Sequence, residues 1–292
     1  MSLLALHPDA TALDALRAAL VLLFAVLQAG MAFWPDLRGW PETISSRSAA
    51  LSTPVVPVPA AFSIWGLIFL ACGTFGVWQA LPANWGDPLL RHLGWVALAL
   101  FAANTLWEAW VPRRGLDWIS VAIITAELGL ALWLLLIVAS AGLDGWAWWL
   151  VAFPFQLFGG WVSAALFVNL SSTMIRPFVG APVAATGPDP RRPAVALALV
   201  GSATALGLGV TILSGAWPYA LAVAWALGGI VAANRPRTAL GGTAIAGVAA
   251  LALAALVSPA AAQAQSVEET PAVKTIPTPT LDVAYLERST GP

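Results

Sequence analysis

The chain has 292 residues, 60% of them hydrophobic and 9% charged, with a formal net charge of −1 and a mean hydropathy of +0.83. A soluble domain carries about a quarter charged residues, so this composition excludes a water-soluble globular protein, and the even charge balance excludes nucleic acid as a partner. One cysteine, Cys72, permits no intrachain disulfide and no thiolate metal cluster, and His7 and His92 fall near segment ends, away from where a membrane cytochrome holds haem.

Taken in chain order, eight segments are long and apolar enough to cross a bilayer, which takes about 20 residues each: 12–34, 60–81, 90–111, 116–140, 146–170, 193–213, 217–234 and 239–258. Breaker clusters such as "PDLRGWPE", "PANWGDP" and "GPDPRRP" divide them. The predicted fold class is all-α, a polytopic membrane helix bundle in contact with the lipid bilayer. Residues 261–292 are polar, rich in Pro and Thr and without period, and read as a disordered tail.

Span 2 follows a Pro-rich approach and sets Phe62, Trp65, Phe69 and Cys72 along one stripe. On span 3, Asn104, Trp107 and Glu108 fall at i, i+3 and i+4, one helix face. Glu108 lies about a turn from the span's end, within reach of water or of Arg113 and Arg114. Glu127 stands next to the centre of span 4. A carboxyl that deep is protonated, hydrogen-bonded across helices or facing an aqueous cavity, which leaves interhelical glue and a ligand or proton site as equal readings. On span 5, Gln156, Gly160 and Ser163 form a small-and-polar stripe, while Trp161 and Asn169 share a different face. Spans 6 to 8 are nearly bare of polar residues. This gathering of polar groups in spans 2 to 5 places a pocket in the first half.

An aromatic belt at the two interfaces accounts for many of the 16 tryptophans, among them Trp34, Trp40, Trp146, Trp148, Trp149 and Trp217. Trp107, Trp133, Trp161 and Trp225 fall a turn or more inside their spans. A buried indole N–H needs a partner, so these four point to packed helices or a cavity. Orientation follows from Lys and Arg. One side collects Arg38, Arg47, Arg113, Arg114, Arg176, Arg191, Arg192, Arg235 and Arg237; the other holds Arg17, Arg91, Lys274 and Arg288. The Arg-rich side is therefore expected to be cytoplasmic, with both termini extracytoplasmic, in a bacterial inner membrane. Residues 235–264 also read in the manner of a signal peptide, an Arg-flanked Ala/Leu run ending in "AAAQA", although an ordinary Ala-rich eighth helix accounts for the same pattern.

Four elements in order on successive helices carry a resemblance: "PVPAAFSIWGLIF" entering span 2, Asn104 and Trp107 in "AANTLWEAW" on span 3, the single acid Glu127 on span 4, and Pro154, "WVSAA" and Asn169 on span 5. They resemble the TspO/MBR family, the tryptophan-rich sensory proteins whose animal member is the translocator (peripheral benzodiazepine receptor) protein. The likeness covers roughly residues 12–172. The Trp/Lys-Pro element expected before "PVP" and the Gln upstream of Asn104 are absent, and spans 6 to 8 have no counterpart in the five-helix family. The resemblance implies a TspO-like five-helix domain over 1–175, with additional transmembrane helices over 176–260. It further implies a pocket opening toward the loop between helices 1 and 2, a bound porphyrin or other tetrapyrrole or a sterol-like ligand, frequent homodimers, and a role in sensing, transport or porphyrin degradation. Clustering and resemblance together nominate Phe62, Trp65, Phe69, Asn104, Trp107, Glu127, Gln156, Trp161 and Asn169 as ligand-binding residues.

Two other classes have distinct signatures. A proton-coupled secondary transporter, with Glu127 as relay, calls for mirrored halves, and no internal repeat is visible. A membrane scaffold or assembly factor would use small-residue faces such as "GSATALGLG" at 201–209. No nucleophile–base pair and no metal cluster is legible, so a binding protein is expected rather than an enzyme.

Overall fold

The computed structural model describes residues 6–39, 42–44, 47, 50, 51, 53–180, 182, 183, 187–234, 238–268, 273–277 and 282–286; Asp36 and everything from 258 onward are described by backbone alone. Trp40, Arg235 and Arg237, assigned above to the belt and to the Arg-rich side, lie outside the described residues. Eight long helices follow in chain order: α1 (Ala12–Leu37), α2 (Ile64–Gln79), α3 (Pro88–Arg114), α4 (Trp118–Ser140), α5 (Phe153–Ile175), α6 (Pro193–Ser214), α7 (Trp217–Ala233) and α8 (Ala239–Glu268). Local chemistry fixes several ends. Asp87 caps α3 by accepting from the Leu89 and Leu90 N–H groups at 2.8 and 3.1 Å, and Asp117 and Ser120 form a capping box at the start of α4. Gly115 (φ +84°) lets the chain turn between those two helices.

Seven helices among the described residues are long and apolar enough to cross a membrane. The remaining one, α7, has 17 residues, about 25 Å at 1.5 Å per residue, the lower end of a span. Its ends nevertheless reach both layers of the bundle. Trp217 stacks on Trp148 with ring centroids 5.8 Å apart, and at the other end Asn234 donates to the Pro54 carbonyl at 2.7 Å. Past the predicted end of the last span, α8 continues to Glu268, because Ala and Gln are good helix formers. Where the sequence reads as a structureless tail, Val273–Pro277 (β1) pairs antiparallel with Asp282–Leu286 (β2), on β-branched residues suited to strands. The membrane part is entirely helical.

The first five helices close a ring in the order α1, α3, α4, α5, α2 and back to α1. One half of the ring is solid. Phe75, Phe101 and Phe155, all fully buried, meet there with centroids 4.9 to 6.4 Å apart. That end is closed by charge: Asp14 accepts from Arg17 at 2.9 Å and from Arg91 at 2.8 Å, and Arg17 also donates to the Trp85 carbonyl. The buried Arg17 therefore sits beside an opposite charge, as a charge removed from water must.

The last three helices pack as a second group, α8 against α6 and α7, and α7 joins them to the ring through α5. Small residues make that joint. A β-carbon on Gly160 would lie 2.3 Å from the Tyr219 carbonyl oxygen and 2.9 Å from the Ala222 Cβ, whereas one on Gly159 would meet nothing closer than 3.5 Å. Close helix approach through glycine is how membrane helices gain packing energy without a hydrophobic driving force. The Ser163 and Tyr219 hydroxyls hydrogen-bond across the same joint. The stripe read from the sequence as Gln156, Gly160 and Ser163 thus faces α7. Of the four interior tryptophans, Trp107 and Trp161 are buried, and Trp225 donates to the Ala61 carbonyl at 2.7 Å. Trp133 corrects the expectation: it is 54% exposed, on the lipid-facing side of α4.

Gly160→Ala should lower the unfolding midpoint in detergent, with a cost of about 1–3 kcal/mol from overpacking. Gly159→Ala, one residue away, should leave it nearly unchanged. Thermal unfolding of the two variants side by side checks the pair.

Candidate functional site

The other half of the ring is hollow. The 3₁₀ turn Pro59–Ser63 that enters α2 brings Phe62 against Trp161 of α5, edge to face, at 5.9 Å. Behind Phe62 lies a small cavity of about 30 Å³, lined by Ile44, Pro57, Phe62, Trp107, Leu116, Trp161, Ala165, Val168, Asn169 and Ala226. In front lies an open groove of about 280 Å³, lined by Ala32, Phe33, Thr43, Ile44, Phe62, Ser63, Trp65, Gly66, Phe69 and Glu108. Ile44 and Phe62 line both, so they form the partition between the two spaces. Aromatic contacts run continuously through it: Phe33 meets Phe69 at 6.4 Å, Phe69 stacks on Trp65 at 5.2 Å, and Trp65 meets Trp161 at 6.1 Å.

The polar atoms of the two spaces differ in kind. In the cavity, the Trp107 and Trp161 indole N–H groups and the Asn169 amide nitrogen are buried and have no hydrogen-bond partner in the protein. The Ser120 hydroxyl, 3.0 Å away, and the Thr173 hydroxyl occupy the Asn169 carbonyl oxygen, which leaves its N–H₂ as the free end. All three are donors. In the groove the corresponding group is the Glu108 carboxyl, 1% exposed, with both oxygens unpartnered. Buried polar atoms are normally satisfied; of the twelve buried side-chain atoms among the described residues that have no partner within the protein, five gather in these two adjoining spaces.

Six of the nine nominated residues meet here: Phe62, Trp107, Trp161 and Asn169 around the cavity, and Phe62 again with Trp65 and Phe69 along the groove. Asn104, Glu127 and Gln156 are not among the lining residues. Asn104 donates to Gln28 of α1 at 3.0 Å, Gln156 lies on the stripe facing α7, and Glu127 is buried where it interacts electrostatically with Glu108 of the neighbouring helix. Glu108 itself departs from the expected solvated carboxylate, for it is buried, while Arg113 folds back to the Ala109 carbonyl at 2.7 Å. The sequence had marked Glu108 on one face with Asn104 and Trp107, and that spacing was the available signal. Ala226, which brings α7 into the cavity wall, carried none.

The proline segment roofs the site, and α7 holds it there. Val58 donates to the Gly229 carbonyl at 3.1 Å, and a β-carbon on Gly229 would lie 2.7 Å from the Ala61 Cβ and 2.8 Å from the Pro57 Cβ. Thr53 and Ser171 hydroxyls, 2.6 Å apart, tie the segment to α5.

Fold and site together define a polytopic helical membrane protein with an aromatic-lined internal pocket near one end of a five-helix ring. The chain belongs to the TSPO-like protein family, whose family model matches residues 16–257. The match extends well beyond residue 172, where the resemblance read from the motifs ends, and takes in α6, α7 and most of the apolar part of α8. No curated protein and no solved structure matches the chain.

Glu127→Gln, which keeps shape and removes the ionisable group, should express and fold at the wild-type level. Glu127→Lys should fail to insert stably, because a lysine at mid-membrane depth costs about 2.5–3.5 kcal/mol on insertion scales. Membrane yield and monodispersity of the two variants check this.

Proposed function

We propose that this protein binds a flat, largely apolar small molecule, of tetrapyrrole or sterol-like character, and uses that binding for sensing or transport. The observation that carries the reading is the pair of adjoining aromatic spaces with five unpartnered buried polar atoms. Ligand sites are concave, mostly apolar, and oriented by a few placed polar groups, and stacked rings such as Trp65 and Phe69 suit a planar ligand. Movement of the Phe62 side chain, which lines both, would join cavity and groove into one space. The bias of arginine toward the loop end of the bundle supports a pocket that lies toward the cytoplasmic face, with both termini outside and a bacterial inner membrane as the setting.

Titration with protoporphyrin, followed by quenching of tryptophan fluorescence, tests the ligand reading. Trp65→Leu and Trp107→Leu should each weaken binding roughly three- to tenfold, the worth of one aromatic contact, while Trp217→Leu should not. Equal losses from all three would overturn the site. Topology is read separately: alkaline phosphatase fused after Pro292 should be active, and a reporter that fluoresces only in the cytoplasm should stay dark there.

A further inference from the structure

The groove and the cavity ask for opposite chemistry, and the groove's demand is the sharper. Its described lining is aromatic and aliphatic apart from Thr43, Ser63 and Glu108, and it contains no Lys, Arg or His. Both Glu108 oxygens are buried without a hydrogen-bond donor. In the loop before α2, Arg47 is engaged elsewhere, donating to the Pro112 carbonyl at 3.3 Å and lying 3.6 Å from Glu42. Behind Glu108 comes a second acid, Glu127, close enough to interact with it. A ligand carboxylate at this end would meet two acids in succession. A ligand nitrogen that carries positive charge would instead supply the missing donor and offset the buried charge. The stacked Trp65 and Phe69 rings on the same wall favour a cation electrostatically.

We propose that the groove recognises hydrophobic amines, with the ammonium nitrogen held on the Glu108 carboxylate and the apolar body lying against Trp65 and Phe69. The inference rests on the reading of this region as a small-molecule site and adds the class of ligand head it selects. Two routes lead to the same complex: an ammonium meets a carboxylate, or a neutral amine takes the proton of a carboxylic acid. In each the product is one ion pair with no net charge, which an apolar groove tolerates far better than a lone ion.

The test uses the full chain in lipid nanodiscs and three fluorescent probes of equal ring size, 1-(aminomethyl)pyrene, its N-acetyl derivative and 1-pyreneacetate, with energy transfer from tryptophan as the readout. The amine should bind at least about tenfold more tightly than the neutral acetamide, the worth of one charge-assisted hydrogen bond, and the carboxylate most weakly. Glu108→Gln should erase the preference for amine, bringing the amine and acetamide affinities to within about threefold of one another. Because empty nanodiscs also take up the cation, the preference is counted only after subtracting their signal. Acetamide binding with no preference for amine, or a preference that survives Glu108→Gln, overturns the proposal and leaves the pocket standing. Failure of all three probes to bind overturns pocket and proposal together. Should Glu108→Gln not fold, the ranking of the three probes on the wild-type chain decides alone.

Discussion

The contact on which the remaining structure depends is the approach of α7 to α5 at Gly160. With no side chain there, the Tyr219 carbonyl comes to a distance that any β-carbon would forbid. That approach seats Tyr219 beside Ser163 and carries the far end of α7 to the loop side of the ring. There a second glycine, Gly229, admits Pro57 and Ala61. The roof over the cavity is thus placed by two glycines on different helices, one at each end of a single interhelical seam. In lipid, where burying apolar surface against another helix brings little advantage over lipid tails, such close packing and the hydrogen bonds it permits are what hold helices together.

The ring divides its polarity along the membrane normal. One half is filled by three phenylalanines and closed by Asp14 with its two arginines. The other half keeps its donors around the cavity and its carboxyl in the groove, separated by Phe62 and Ile44. A bundle assembled only for stability would pair these groups with one another or replace them with apolar ones, since each unpartnered buried polar group costs about 1–3 kcal/mol. Five of the twelve unpartnered buried side-chain atoms among the described residues gather around these two spaces, and the others are spread through the bundle at Arg17, Gln28, Arg47, Asn104, Glu127, Gln156 and Ser172.

Much of this was legible in the residues, and the part that was not has a physical reason. Apolar runs and breakers located all eight helices, since backbone groups in lipid leave little choice but helix. Phe62, Trp65, Phe69, Trp107, Trp161 and Asn169, which line the cavity and the groove, stood out in the sequence because large aromatics and deep amides are rare and spaced along helix faces. Gln156 was assigned to the pocket because its stripe is polar, yet the same stripe contains Gly160, and the glycine decides which neighbour it faces. Of the contribution of α7, only Trp225 was legible, as an indole inside its span. Ala226 and Gly229 act by being small, and smallness has no chemical signature in a chain with 25 glycines. Glu108 stood on the right face but near enough to a span end to pass for a solvated acid, and only the packing around it shows otherwise.

The proline segment has one more consequence. It is held by two helices: by Ser171 of α5 through Thr53, and by Gly229, Asn234 and Trp225 at the end of α7 through Val58 and the Pro54 and Ala61 carbonyls. Opening it toward water would break all four bonds at once. The groove, by contrast, ends at Phe33, which is 55% exposed on the outer surface of α1, where the surroundings are acyl chains. The less tied side of the site is therefore the groove end at Phe33, on the flank of α1 rather than under the proline segment. For a ligand of the proposed kind, one that partitions strongly into lipid would meet that flank at its membrane concentration, and occupancy would follow how much of it the bilayer stores.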